Sequence, residues 1–276
     1  MLKIFILALL FSLSAFANFL PENNLQIAEE NNLSQMSKAE FNTIIKKLKS
    51  SYKGEALKRG GILSLKGAWK SKQVNAFALR AGPLWKITIH GGLARHPLMT
   101  RDGLALVICH ELGHHFGGAP KSTVPLKKWN SYEGQADYWA ALKCLKRLFQ
   151  DDDNTTIVQG LSVPELAKTS CQKEFNSSKD QALCMRVVMA GLDMSKLVAD
   201  YRREAIPMVE TPDPKIVQTT SFQHANAQCR LDTYFQAALC SLDPKENVSD
   251  EDPIVGVCSR VMQGEVGSRP LCWYAP

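Results

Sequence analysis

Residues 107–115 of the 276-residue chain read Val-Ile-Cys-His-Glu-Leu-Gly-His-His and contain the motif HExxH. His110 and His114 are four residues apart, so on a helix they lie one turn apart on one face and can bind the same Zn²⁺. Glu111 follows the first histidine, where its carboxylate can take a proton from an attacking water molecule and pass it to a leaving amine. The motif therefore predicts a catalytic zinc site with Glu111 as the general base.

A catalytic zinc ion needs a third protein ligand, and the residues downstream narrow the choice. The metzincin pattern requires a histidine ten residues after the first, and Pro120 stands there, although Gly117 fits the same pattern. Glu133 and Asp137 are four residues apart on a predicted helix, so both carboxylates project from one face. Glu133 can complete a His₂Glu site, and Asp137 can accept the second ring N–H of a ligand histidine. The alternative for this pair is a solvated acidic face.

This pairing of HExxH with Glu-Gly-Gln-Ala-Asp at residues 133–137 resembles the gluzincin metallopeptidases, in particular the CAAX-prenyl-protease/HtpX-like group. Its members carry HExxH followed by an ExxAD helix, and the resemblance covers about residues 85–149. It implies peptide-bond hydrolysis with one zinc ion per chain, Glu133 as ligand and Asp137 behind a ligand histidine. The chain departs from the group in having no membrane span after its leader and only a short link between His114 and Glu133.

The first 17 residues are typical of a signal peptide. A positive start with Lys3 precedes an apolar run from Ile4 to Leu13, and Ser14-Ala15-Phe16-Ala17 ends in a small-x-small cleavage pattern. The apolar run is too short to span a bilayer, which takes roughly 20 residues. The alternative is a buried N-terminal helix. We expect cleavage after Ala17 and a periplasmic or secreted protein with no membrane span in its mature form.

The composition excludes disordered and fibrous classes, since 45% of residues are hydrophobic and 22% are charged. The 33 Lys and Arg exceed the 27 Asp and Glu by a net charge of +6, without a dense basic run. This balance gives little support to a nucleic-acid partner. A peptide or protein substrate is the expected partner, and the sequence leaves the oligomeric state open.

The eight cysteines suggest disulfides, because an exported chain meets oxidising conditions. Pairing of near neighbours is one of many connectivities that eight cysteines allow. A cysteine zinc site is disfavoured because no CxxC pair occurs. The expected pairs are Cys109–Cys144, Cys171–Cys184, Cys229–Cys240 and Cys258–Cys272.

The order of the predicted elements indicates an α+β fold. Three β-prone segments, at residues 62–65, 74–79 and 84–89, precede the HExxH helix. We predict a mainly helical gluzincin-like core with this small β-sheet, plus a disulfide-braced helical C-terminal region. Residues 85–89 are expected to form the sheet edge that pairs with a peptide substrate.

Further helices are predicted along the chain, and their order suggests how the chain divides into regions. The Glu133 helix is expected to run to about Phe149, with later helices over 179–191, 193–203 and 227–241. The predicted division is a signal peptide (1–17), a zinc metallopeptidase core (18–150) and a Cys-rich, mostly helical region (151–276) that can be part of the same domain.

Three further residues are candidates for stabilising an oxyanion or contacting substrate: His224, Arg230 and Tyr234. An imidazole, a guanidinium or a phenol can each donate a hydrogen bond to a developing negative charge. The alternative, which we favour from the sequence, is a structural ion pair between Arg230 and Asp232 or a local cap. His115 lies about 100° round the helix from His114, so we expect it to pack rather than to bind metal.

The sequence thus predicts an exported zinc-dependent metallopeptidase that hydrolyses peptide bonds. Two alternatives stay open: a non-catalytic zinc-stabilised binding module, and an aminopeptidase of narrower scope. The presence of Glu111 favours hydrolysis, because a structural zinc site has no need of that carboxylate.

Overall fold

The computed structural model describes residues 17–276 and confirms the predicted α+β class. The predicted signal peptide, apart from Ala17, lies outside the described residues. None of the helices within residues 17–276 is long and apolar enough to cross a bilayer. The division of the chain near residue 150 stays a prediction.

Four strands form one sheet in the order β1-β3-β4-β2: β1 (Ala17–Asn18), β2 (Ile62–Ala68), β3 (Ala76–Ala81) and β4 (Leu84–His90). A tight turn at Gly82, with φ +56°, joins β3 and β4 as an antiparallel hairpin. β2 runs parallel to β4 on its other side. The expected edge strand at residues 85–89 is therefore wrong: it lies inside β4, between two partners, and β3 carries β1 instead.

Helix α1 (Lys38–Lys58) opens with a capping box, in which Ser37 and Glu40 bond each other's backbone N–H. Helix α2 (Gly91–Ala94) is a single turn, and α3 (Arg101–Phe116) carries HExxH. The Thr100 side chain caps α3 by accepting from the N–H of Gly103. All of α3 from Gly103 to Phe116 is buried, so its histidines lie inside the protein.

The predicted helix of Glu133 is confirmed to its end at Phe149. It consists of α4 (Glu133–Trp139), a π-helical turn (Ala140–Leu145) and α5 (Lys146–Phe149). α4 packs across α3 at Gly113, where an added Cβ would lie 2.8 Å from the carbonyl oxygen of Ala136. Because a side chain at this position would separate the helices, glycine sets the short distance between the two motifs.

The remaining helices are α6 (Asn154–Gln159), α7 (Glu165–Glu174), α8 (Ser178–Arg202), α9 (Ala227–Leu239) and α10 (Arg260–Gln263). The two helices predicted over 179–203 form the single helix α8. α9 packs between α8 and α4, and buried residues from both halves of the chain join one hydrophobic cluster. The C-terminal region is thereby brought against the back of the HExxH and Glu133 helices.

Four disulfides are present among the described residues, and two match the expected pairs: Cys109–Cys144 and Cys171–Cys184. The other two expected pairs are wrong, because the tail links Cys229 to Cys272 and Cys240 to Cys258. Cys229 and Cys240 stand at opposite ends of α9, about 16 Å apart at the helical rise. A disulfide spans at most about 7 Å between Cα atoms, so each end of α9 is joined to the returning tail instead.

We predict that replacing Cys109 and Cys144 together by serine lowers the free energy of unfolding by about 4 kcal/mol, from the entropy of the loop that the disulfide closes. The same change at Cys171 and Cys184, which close a shorter loop, should lower it by about 3 kcal/mol. Urea unfolding followed by circular dichroism measures both.

Of the four disulfides within residues 17–276, Cys109–Cys144 alone joins the helices that carry HExxH and Glu133, so its removal alone should also weaken zinc binding. Equal zinc affinity in the two double variants would contradict this structural role.

Candidate metal centre

The three predicted zinc ligands converge in the structure. His110 Nε2 lies 3.1 Å from His114 Nε2 and 3.3 Å from Glu133 Oε2, and the third side of the triangle is 3.6 Å. Ligand atoms at tetrahedral corners about 2.0–2.1 Å from a zinc ion lie about 3.3–3.4 Å apart. The three side chains therefore form one face of a zinc-sized tetrahedron.

Unpaired buried oxygen atoms support a cation at this place. Among the described residues, Glu133 Oε2 and both carboxylate oxygens of Glu111 are buried without a hydrogen-bond donor. Leaving such an atom unsatisfied costs about 1–3 kcal/mol or more for a charged group. Two imidazoles and a carboxylate are also the donor set of catalytic zinc sites, so the residues present fit the metal.

The second nitrogen of each ligand histidine has a partner that fixes the ring. His110 Nδ1–H donates to Asp137 Oδ1 at 2.7 Å, and His114 Nδ1–H donates to the carbonyl of Ser131 at 3.0 Å. With both protons held at Nδ1, the Nε2 lone pairs point toward Glu133. Asp137 thus contacts His110, one of the two proposed ligand histidines.

Asp137 is itself held by helix α9. Arg230 donates to it twice, from Nε at 2.8 Å and from Nη2 at 2.7 Å, and the hydroxyl of Tyr234 donates to Oδ1 at 2.5 Å. The Arg230–Asp232 pair favoured from the sequence is wrong: Asp232 accepts instead from Gln228 and the backbone N–H of Asp213. The long side chain of Arg230 contacts the carboxylate of Asp137, which lies 93 residues away in the chain.

Charges at the centre favour a cation. Burial would raise the pKa of Asp137, but Arg230 and His110 outweigh it and hold that pKa well below its usual range. Burial would also raise the pKa of Glu133, but the imidazoles of His224 and His114 lower it to about 2. Both carboxylates are therefore ionised at neutral pH. Burial lowers the pKa of His114 to about 4, which keeps this imidazole in the neutral form that binds metal.

The pKa values of the other two motif residues shift upward. Burial would lower the pKa of His110, but Asp137 and Glu133 raise it to about 9. The two carboxylates therefore stabilise a positive charge at this position. Burial raises the pKa of Glu111 to about 8, against the opposing effect of His110. A carboxyl group with a pKa near neutrality can both accept and release a proton, as a general base requires.

Of the three oxyanion candidates, His224 lies nearest the ligands. Its Nε2 is 3.4 Å from Glu133 Oε2 and donates to the carbonyl of Asn18 at 2.6 Å. Arg230 and Tyr234 surround Asp137, and Arg230 also donates from Nη1 to the carbonyl of Phe19. A cavity of about 550 Å³ opens beside Glu133 and His224.

His115 packs as expected. Its ring is buried and stacked between Trp85 and Trp129, with centroid distances of 5.3 and 4.8 Å. Arg80 donates to its Nδ1 and to its carbonyl. This stack lies on the side of α3 that faces the sheet and supports the position of the helix.

Sequence reasoning missed Asn75, Phe19 and Ser131. Asn75 is a buried polar residue immediately before β3, and its side chain binds the backbone of Leu20. Phe19 is fully buried, and its ring meets that of His110 edge-on at 5.3 Å. The pair Phe19-Leu20, two large apolar residues in an otherwise polar segment, was the available signal. A backbone carbonyl such as that of Ser131 leaves no signal in the residue type.

We predict that Glu133→Ala abolishes stoichiometric zinc binding, because two imidazoles alone leave the site without its anionic ligand. Metal analysis of the purified protein should give about one zinc per chain for the wild type and well below half for the variant. Glu55→Ala, which removes a glutamate remote from the site, is the control. Full zinc occupancy in Glu133→Ala would overturn the ligand assignment.

We predict that Asp137→Asn weakens zinc binding about 10- to 100-fold, because an amide cannot hold the His110 ring as a carboxylate does. It also leaves the Arg230 charge buried without its partner, a loss of about 3–5 kcal/mol in the free energy of unfolding. Competition with a chelating dye measures the affinity.

Asp232→Asn is the matched control, since Asp232 lies on the same helix as Arg230 and contacts neither Arg230 nor His110 by a hydrogen bond. Equal zinc affinity in both variants would show that Asp137 does not position the ligand.

Residues 38–124 match the model of peptidase family M48. The matched part, about a third of the chain, contains HExxH and ends before Glu133. No curated protein and no solved structure matched the chain. The family match, together with the three converging donor atoms, supports a zinc metallopeptidase family.

Proposed function

We propose that this protein is an exported zinc-dependent metallopeptidase that hydrolyses peptide bonds with Glu111 as the general base. One observation carries the proposal: the His110, His114 and Glu133 donor atoms form a zinc-sized triangle, and both oxygens of the adjacent Glu111 carboxylate are buried with no hydrogen-bond partner within residues 17–276. A structural zinc site does not require such an unpaired carboxylate.

Each residue has a distinct part in the proposed reaction. Zinc held by His110, His114 and Glu133 would supply Lewis acidity, which polarises the scissile carbonyl and lowers the pKa of water. Glu111 takes a proton from the attacking water molecule and delivers it to the amide nitrogen as the C–N bond breaks. His224, whose Nε2–H already donates to a peptide carbonyl, is placed to donate to the oxygen as it becomes negative.

The finer family assignment also belongs to this proposal. Glu133 and Asp137 stand on one helix, as in the ExxAD helix of the CAAX-prenyl-protease/HtpX-like group that the sequence resembles. Asp137 bonds the Nδ1–H of His110, which is the part that the resemblance implies for it. We therefore place the chain near this group of the gluzincins.

Export is supported by the leader pattern at residues 1–17 and by the four disulfides. A periplasmic or secreted location supplies the oxidising conditions that they need. Sequencing the amino terminus of the exported protein tests this part, and Asn18 is the first residue expected.

We predict that Glu111→Gln keeps one zinc per chain and lowers kcat against a responsive peptide at least a hundredfold, because the amide cannot accept the proton. A peptide-library cleavage profile of wild type and variant, each with and without chelator, measures the effect. Chelator should abolish the wild-type activity, and zinc should restore it.

Two results would change the conclusion. Full activity of Glu111→Gln would show that another group is the base. Stoichiometric zinc with no cleavage of any peptide or protein by the wild type would favour a zinc-stabilised binding module.

A further inference from the structure

The first described residues of the chain run in an extended conformation past the metal centre. β1 pairs antiparallel with β3, with Asn18 opposite Phe77. The N–H of Phe19 donates to the carbonyl of Ala76 at 3.1 Å. Asn75 then clamps Leu20, since its Oδ1 accepts from the Leu20 N–H and its Nδ2 donates to the Leu20 carbonyl, each at 3.0 Å. The backbone of residues 18–20 is thus bound as a peptide strand.

The other side of this strand faces the proposed catalytic residues. The Asn18 carbonyl accepts from His224 Nε2, the atom 3.4 Å from the ligand oxygen of Glu133. The next carbonyl, that of Phe19, accepts from Arg230 Nη1 at 3.0 Å. The Phe19 ring lies against His110. The Asn18–Phe19 segment therefore contacts His110, one of the proposed metal ligands, through the Phe19 ring, and His224, the candidate oxyanion donor, through the Asn18 carbonyl.

Burial makes this strand a strong occupant. Phe19 and Leu20 are fully buried, and a cavity beside Glu133 has Ala17 and Asn18 in its wall. A segment joined covalently to the site acts at an effective concentration of about millimolar, so a free peptide must compete with it at a disadvantage. While the strand is in place, a substrate cannot form the same backbone hydrogen bonds.

We propose that Asn18–Leu20 is an internal inhibitory strand that occupies the path of the substrate peptide, with the Asn18–Phe19 bond in the place of the scissile bond. The proposal rests on the proposed peptidase function and adds its regulation. It also assigns the binding elements: Ala76 and the Asn75 side chain hold the substrate backbone, and the Phe19 position accepts a large apolar residue immediately after the scissile bond. Cleavage of a leader after Ala17 would leave this strand on the mature chain.

The test releases the strand after the protein has folded. A site for a specific protease is inserted between Glu22 and Asn23, in the exposed connection that follows the strand. The purified protein is cut, and the short N-terminal fragment is removed by gel filtration. A matched protein carries the same site between Gly160 and Leu161, in an exposed link remote from the cleft. This control separates release of the strand from the effect of a cut.

Two readouts are measured before and after the cut. Turnover of a peptide identified by library cleavage should rise at least tenfold on release, and only in the protein with the N-terminal site. A fluorescent peptide with the sequence of residues 18–23 should bind the released protein in anisotropy measurements and should not bind the uncut one. The same peptide with alanine in place of Phe19 should bind at least tenfold more weakly. The binding measurement is repeated in Glu111→Gln, where it needs no catalysis.

The outcomes separate this inference from the proposed function. Turnover that is equal before and after release, in a protein whose Glu111→Gln variant is inactive, would overturn the inhibitory strand and leave the peptidase in place. Failure of the peptide to bind the released, zinc-loaded protein would overturn the strand as well. Binding of the peptide with no turnover in either form would support the strand's place in the cleft and contradict hydrolysis.

Discussion

The carboxylate of Asp137 joins three parts of the chain at one buried point. It accepts from His110 on α3, from Arg230 and Tyr234 on α9, and is itself carried by α4. A buried ion pair adds little net stability, because the desolvation of two charges cancels most of their attraction. Its effect is on geometry: with its Nδ1 proton held, the His110 ring has one orientation, and its Nε2 meets His114 and Glu133. The orientation of His110 within the candidate metal centre depends on this contact.

This dependence explains what the C-terminal region contributes. Residues after Phe149 supply Arg230 and Tyr234 behind the centre and His224 beside it. The final turn of the chain adds a packing contact, since the Trp273 indole lies where a side chain on Gly134 would be. Two disulfides fix the tail to both ends of α9, so that the helix behind Asp137 is held along its length. The C-terminal region, which the sequence predicted to be braced by disulfides, therefore supports the helix that carries Glu133 and Asp137.

The features that the sequence predicted correctly are those set by residues close together in the chain. The HExxH spacing and the Glu133/Asp137 spacing are local, and helical periodicity alone places each pair on one face. The Arg230–Asp137 contact spans 93 residues. The sequence instead suggested Asp232 as the partner of Arg230, because Asp232 is the nearer acidic residue. The disulfide predictions follow the same rule. Pairing of neighbours in sequence is wrong where a helix holds the two cysteines apart, as α9 does for Cys229 and Cys240. The edge of the sheet was missed because β4 becomes an inner strand through its parallel pairing with β2, a contact between separate segments that no residue pattern fixes.

The N-terminal strand also depends on contacts with residues distant in the chain. These contacts bear on how the protein folds. Phe19 and Leu20 are core residues as well as occupants of the cleft, because Asn75 and Ala76 tie them to the sheet that carries α3. A chain that folds with this strand in place closes its own cleft as it completes its core. With the proposed peptidase activity, copies that are still unfolded would be open to cleavage by neighbours that have already folded. Because the cleft closes as the core is completed, each new copy would be inactive while its neighbours are still folding. Removal of the strand, rather than folding, would then be the step that exposes the proposed metal centre.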